Sequence, residues 1–84
     1  MLVDFSAPWC MPCRRMEPEL VEFARQWNGK LRLVRLNVDD GPEIAAQYGV
    51  LSVPTLILFV GGQPRARLSG YQPRQKIAEK FSPE

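Results

Sequence analysis

Residues 2–13 read LVDFSAPWCMPC, and the fold turns on how this stretch is read. Leu2, Val3, Asp4 and Phe5 make a short, mostly apolar run that Ser6-Ala7-Pro8 ends, the pattern of a buried strand. Beyond it, Met16, Leu20, Phe23, Ala24 and Trp27 recur at helical spacing, while Arg14, Arg15, Glu17, Glu19, Glu22 and Arg25 fill much of the remaining surface. The stretch is therefore a strand feeding a helix. Cys10 falls at the N-terminal end of that helix, with Cys13 about one turn in. Pro18 lies inside the helix and is expected to kink it, because proline lacks an amide donor and crowds the carbonyl four residues back. Asn28-Gly29 is predicted to cap its end.

The rest of the chain follows the same alternation. Leu31–Val38 is β-rich and predicts a second strand. Pro42 opens a short helix that Gly49 closes. Thr55–Val60 is a continuous apolar run, expected to be a central strand covered on both faces. Gly61-Gly62 turns the chain into Pro64–Ser69, which its proline assigns to a sheet edge. A last helix is predicted over Pro73–Phe81, with Ile77, Ala78 and Phe81 inward. The order β-α-β-(α)-β-β-α predicts an α/β fold with a four-stranded mixed sheet flanked by helices. Its first two strands are parallel and its last two form an antiparallel hairpin.

Composition narrows the function. At 84 residues the chain has room for one domain, residues 1–84, and its 45% hydrophobic content suits a core of ordinary size. Its 11 basic and 9 acidic residues are interspersed, so nothing points to nucleic acid. No apolar run approaches the roughly 20 residues of a membrane span, and the start does not resemble a signal peptide. The expected setting is the cytoplasm, or an extracytoplasmic one if an N-terminal leader or anchor has been removed.

Cys10 and Cys13 are the only cysteines, and there is no histidine. A zinc clip would need carboxylates or a second chain to complete four ligands, so no metal is expected. A structural staple would close a loop of only about four residues, too short for much stabilisation. Residues three apart on a helix lie about 5–6 Å apart at Cβ, close enough for a disulfide after small adjustment. Amides and the dipole at the helix start favour a thiolate on Cys10, while Cys13 lies deeper and keeps its proton longer. An exposed nucleophile beside a buried thiol is what dithiol exchange requires. The strand before the pair and the helix after it favour this redox reading over two incidental cysteines.

Two longer segments, VDFSAPWCMPCRRMEPELVEFA (3–24) and NVDDGPEIAAQYGVLSVPTLILFVGGQP (37–64), resemble the thioredoxin family, and the similarity spans nearly the whole chain. The resemblance implies a thioredoxin-like three-layer fold and a thiol-disulfide oxidoreductase that reduces protein disulfides, with no cofactor beyond a Cys10–Cys13 redox-active disulfide. It assigns Cys10 as the attacking thiol, Cys13 as the resolving thiol and Asp4 as general base for Cys13. It places a cis-proline at Val53-Pro54, facing the cysteines. The substrate surface it implies comprises Trp9, Met11, Pro12, Val53, Pro54, Gly70 and Tyr71. The partners it implies are disulfide-containing proteins and a thioredoxin-reductase-type electron donor. Asp4 sits in an apolar run, so burial is expected to raise its pKa toward neutrality. The contrary reading is an acid exposed at a strand end.

Departures from the family pattern fall close to the cysteines. Met11 replaces the usual glycine between them, adding apolar surface. Ser6 replaces a tryptophan and is expected to wet the surroundings of Asp4. Arg35 replaces a lysine and is expected to hold Asp4 ionised. The family also has a further N-terminal strand and helix, and the chain begins at their second strand. That leaves Leu31–Val38 as an edge, with Arg32 and Arg35 as guards against edge pairing. A natural minimal protein, an engineered or truncated form, and a dimer covering that edge are the competing explanations, and the expected state is a monomer or weak dimer. The alternative function is a binding or scaffold module with the thioredoxin fold, or a truncated or engineered thioredoxin with little activity.

Overall fold

The computed structural model describes residues 1–27 and 29–82. Its elements are β1 (Leu2–Ser6), α1 (Met11–Gln26), β2 (Leu33–Asn37), α2 (Pro42–Gln47), β3 (Thr55–Val60), β4 (Gln63–Ser69) and α3 (Arg74–Phe81). The strands form one sheet in the order β2-β1-β3-β4. β1 runs parallel to β2 and antiparallel to β3, and β3 pairs antiparallel with β4.

Alternation along β1 assigns its side chains to two cores. Leu2 faces α1 and α3 and packs with Met16, Leu20, Phe23, Leu56, Ile77 and Phe81. Val3 and Phe5 face the other way and pack with Ala45 of α2 and Ile57 of β3. All five β1 residues are buried, as expected of a strand with partners on both sides and helices over both faces. Each fully buried large side chain contributes roughly 1.5–3 kcal/mol. The apolar stripe of α1 keeps the helix continuous through Pro18, which cannot donate to the carbonyl of Arg14.

Boundaries differ from the sequence expectation where local hydrogen bonds intervene. β2 starts at Leu33 rather than Leu31, because the Leu31 amide donates to the Trp27 carbonyl at 3.0 Å and closes the end of α1. Trp27 caps that helix, and Asn28, expected to share the cap with Gly29, lies outside the described residues. β3 is central, but only its first half is buried. Leu58, packed against the α1/α3 core, and Phe59, packed against the α2 core, are half-buried, and Val60 is exposed. Gly61 and Gly62 adopt φ of 60° and 80°, the left-handed conformation a tight hairpin turn requires. Arg67 of β4 ties the far end of α2 to the sheet by donating to the carbonyls of Tyr48 and Gly49.

Candidate active site

The loop between β1 and α1 carries the cysteines. It tightens at Ala7, whose carbonyl accepts the Cys10 amide at 3.1 Å, and Arg14 reaches back to the Pro8 carbonyl at 2.8 Å. Cys10 is thereby the N-cap of α1, and Pro12 occupies the first turn, where its missing amide costs nothing. The Cys13 amide donates to Cys10 Sγ at 3.1 Å. The two cysteines are disulfide-bonded, with Cα atoms 5.3 Å apart.

One expectation fails here. Cys10 is not exposed: it is 3% and Cys13 6% accessible, and the two form a buried cluster with Ala7 against which Val38 and Val53 pack. Val38 comes from the segment after β2 and Val53 from the loop before β3, so the cover is tertiary. The asymmetry between the sulfurs lies instead in hydrogen bonding. An amide at a helix start points at Cys10 Sγ and would stabilise negative charge there.

The other expected site residues surround this pair. Trp9 and Met11 stand out at 67% and 62% exposure, and Met11 is the first residue of α1 rather than part of the loop. Trp9 Nε1 donates to Asp39 Oδ2 at 3.0 Å, and the Asp39 amide in turn donates to Asn37 Oδ1 at 2.9 Å. Sequence reading missed Asp39. Its signal was an acid just beyond a strand that runs parallel to the one feeding Trp9. The Val53-Pro54 peptide is cis, and the Pro54 carbonyl accepts the Gly70 amide at 2.8 Å, which brings the two loops together. Gly70 takes φ of 79°, open to glycine. Tyr71 is exposed beside it, with the Arg15 guanidinium 5.4 Å above its ring.

Asp4 lies in the middle of β1 rather than at a strand end, and it is 3% exposed. Burial pushes its pKa up to about 6; Arg35 pulls it down and Glu17 pushes it up by smaller amounts. Asp4 Oδ1 is buried and accepts no hydrogen bond from the described residues. Arg35 was expected to hold Asp4 ionised, but its Nε is 3.9 Å from Asp4 Oδ2 while its Nη2 is 2.6 Å from Glu17 Oε1. Desolvation therefore outweighs the guanidinium. Asp4, Ser6, Cys13, Glu17 and Arg35 line one open cavity of about 240 Å³, so the carboxylate and the second cysteine share a cleft. Among the described residues no group of His, Cys, Asp or Glu could hold a metal ion, and no helix is long and apolar enough to cross a membrane.

Comparison with known proteins agrees with this geometry. The thioredoxin family model matches residues 1–82. The chain is 52% identical over 77 residues to thioredoxin from Alicyclobacillus acidocaldarius, covering 92% of this chain and 73% of that protein. It is 44% identical over 79 residues to thioredoxin 1 from Nostoc, covering 94% and 74%. Among solved structures, mitochondrial thioredoxin 3 from Saccharomyces cerevisiae superposes with a TM-score of 0.85 at 31% identity, covering 93% of this chain and 72% of that one. Fasciola hepatica thioredoxin superposes equally well at 33% identity, covering 93% and 73%. An N-terminal helix presenting a disulfide-bonded Cys-x-x-Cys pair, set in a fold and a sequence of this kind, makes the chain a member of the thioredoxin family of thiol-disulfide oxidoreductases.

Proposed function

We propose that the chain works in the reducing direction on protein disulfides, with Cys10 as nucleophile, Cys13 as resolving thiol and Asp4 as its base. The observation that carries the order of attack is the Cys13 amide directed at Cys10 Sγ, which favours a thiolate on Cys10. In the first step the Cys10 thiolate attacks one sulfur of a substrate disulfide. A mixed disulfide forms, and the other substrate sulfur leaves as a thiolate that takes up a proton. In the second step the Cys13 thiol gives its proton to the Asp4 carboxylate. The Cys13 thiolate then attacks Cys10 Sγ, the Cys10–Cys13 disulfide forms, and the remaining substrate sulfur departs with the electron pair of the broken bond. A pKa of about 6 leaves Asp4 mostly ionised at neutral pH yet closer to a thiol than an ordinary carboxylate is, which suits proton acceptance.

Trp9, Met11, Pro12, Val53, Pro54, Gly70 and Tyr71 form the docking surface in this reading. Trp9 and Met11 supply exposed apolar area, and the loops holding Pro54 and Gly70 supply backbone against which an extended substrate segment can lie. A thioredoxin-reductase-type donor returns the pair to the dithiol. A reducing compartment such as the cytoplasm fits that cycle. The outer edge of β2 leaves the chain a monomer or a weak dimer, which sedimentation across a concentration series distinguishes.

Reduction of insulin disulfides tests the assignment. Cys10→Ser should reduce the rate to that of the reductant alone. Cys13→Ser should accumulate a mixed disulfide with substrate through Cys10. Equal rates for wild type and Cys10→Ser would leave a binding module as the better reading.

A further inference from the structure

Asp4 and Arg35 are direct partners in the parallel ladder between β1 and β2. Opposite charges at such positions on one face of a sheet ordinarily pair. Here they do not pair closely: Arg35 Nε stays 3.9 Å from Asp4, while Arg35 Nη2 lies 2.6 Å from Glu17. Glu17 follows Cys13 by four residues on α1, so the two side chains share a helix face at the same cleft. The preference has a physical cause. The Glu17 side chain is 45% exposed and the Asp4 side chain only 5%, so the guanidinium pairs with the acid that keeps its water. Asp4 is left in the cleft with one carboxylate oxygen that no described group satisfies.

We propose that Glu17 is a positioning residue for Asp4: by holding the Arg35 guanidinium in a close ion pair, it keeps that cation from fully neutralising Asp4 and so preserves the ability of Asp4 to bind a proton. This rests on the reading of Asp4 as the base for Cys13, and it adds that a residue on α1 sets the strength of that base. The charged or titratable groups lining the cleft with Asp4 are Arg35 from β2 and Cys13, Arg14 and Glu17 from α1. From β3, the neighbour of Asp4 in the sheet is Leu56, which carries no charge. Removing Glu17 acts in one direction through two routes, since it frees Arg35 toward Asp4 and deletes a negative charge. Only the first route requires Arg35.

The experiment follows the Asp4 carboxyl carbon by NMR titration in oxidised wild type, Glu17→Ala, Arg35→Gln and the double variant. Glu17→Ala should lower the Asp4 midpoint by about half a pH unit or more. Arg35→Gln should raise it. Adding Glu17→Ala to Arg35→Gln should lower the midpoint by less than half as much as Glu17→Ala does alone. An unmoved midpoint in Glu17→Ala, or equal movement in both backgrounds, would overturn the proposal. The pH profile for resolution of a Cys10 mixed disulfide with a small aromatic thiol is measured alongside. If that profile moves with the Asp4 midpoint, both readings hold. If Asp4 moves and the profile does not, Glu17 still positions Arg35, and the assignment of Asp4 as base is what fails.

Discussion

Replacing Asp4 with asparagine should stabilise the folded protein at neutral pH, by an amount that depends on pH in a defined way. In the fold Asp4 titrates at about 6 against an ordinary carboxylate value of 3.8, mainly because burial disfavours its ionised form. The folded state therefore holds the Asp4 proton more tightly than the unfolded chain does. Where the folded state binds more protons, stability falls as pH rises. Relative to a neutral side chain, Asp4 costs little below about pH 4 and progressively more as pH rises toward 6. Above about pH 7 it costs the full amount. The gap between 3.8 and about 6, at about 1.36 kcal/mol for each pKa unit, comes to about 3 kcal/mol. Asparagine has nearly the same shape and does not ionise, so it removes this cost without opening a cavity.

Urea unfolding of the oxidised proteins, followed by tryptophan fluorescence, reads the effect without interference from free thiols. The measured quantity is the stability of Asp4→Asn minus that of wild type, at pH 4 and again at pH 7.5. Acid titration of the exposed carboxylates affects both proteins and cancels in the difference. That difference should grow by about 2.5 kcal/mol between the two pH values. With a urea m value of about 1 kcal/mol/M for a chain of this size, the midpoints should separate by roughly a further 2–3 M. A difference that is the same at both pH values would refute the reasoning, because it would mean that Asp4 titrates as an ordinary surface acid. Asp4→Asn should slow insulin reduction at the same time, which places stability and resolution in opposition at one residue.

Two further expectations concern the frame around the site. Leu20 is buried on the stripe that holds α1 to the sheet, so Leu20→Ala should cost about 2–5 kcal/mol in thermal or urea unfolding, while a loss under about 1 kcal/mol would contradict that packing. Asp39→Ala frees the exposed Trp9 indole from its acceptor, and it should raise the apparent KM for insulin about threefold with kcat nearly unchanged, as expected for loss of roughly 0.6 kcal/mol of ordering. An unchanged KM would mean that the position of Trp9 is irrelevant to docking.

What the sequence discloses about this site depends on how far apart the contributing residues lie in the chain. The strand run, the cysteine spacing and the apolar stripe of α1 are local patterns, and each element they predict is present. The burial of Cys10 was not legible, because the residues that close over it, Val38 and Val53, lie 28 and 43 positions downstream. Charge was misread for the same reason. Along the chain Glu17 is one more acid on a solvated helix face, and Arg35 is a cation opposite Asp4. Only folding shows that the two acids compete for one guanidinium, and that the wetter acid wins it. Burial raises the pKa of the Asp4 carboxyl, and the close Arg35–Glu17 ion pair limits how far the guanidinium lowers it again. The proton chemistry of the site is therefore set partly by a side chain whose own exposure gives no hint of it.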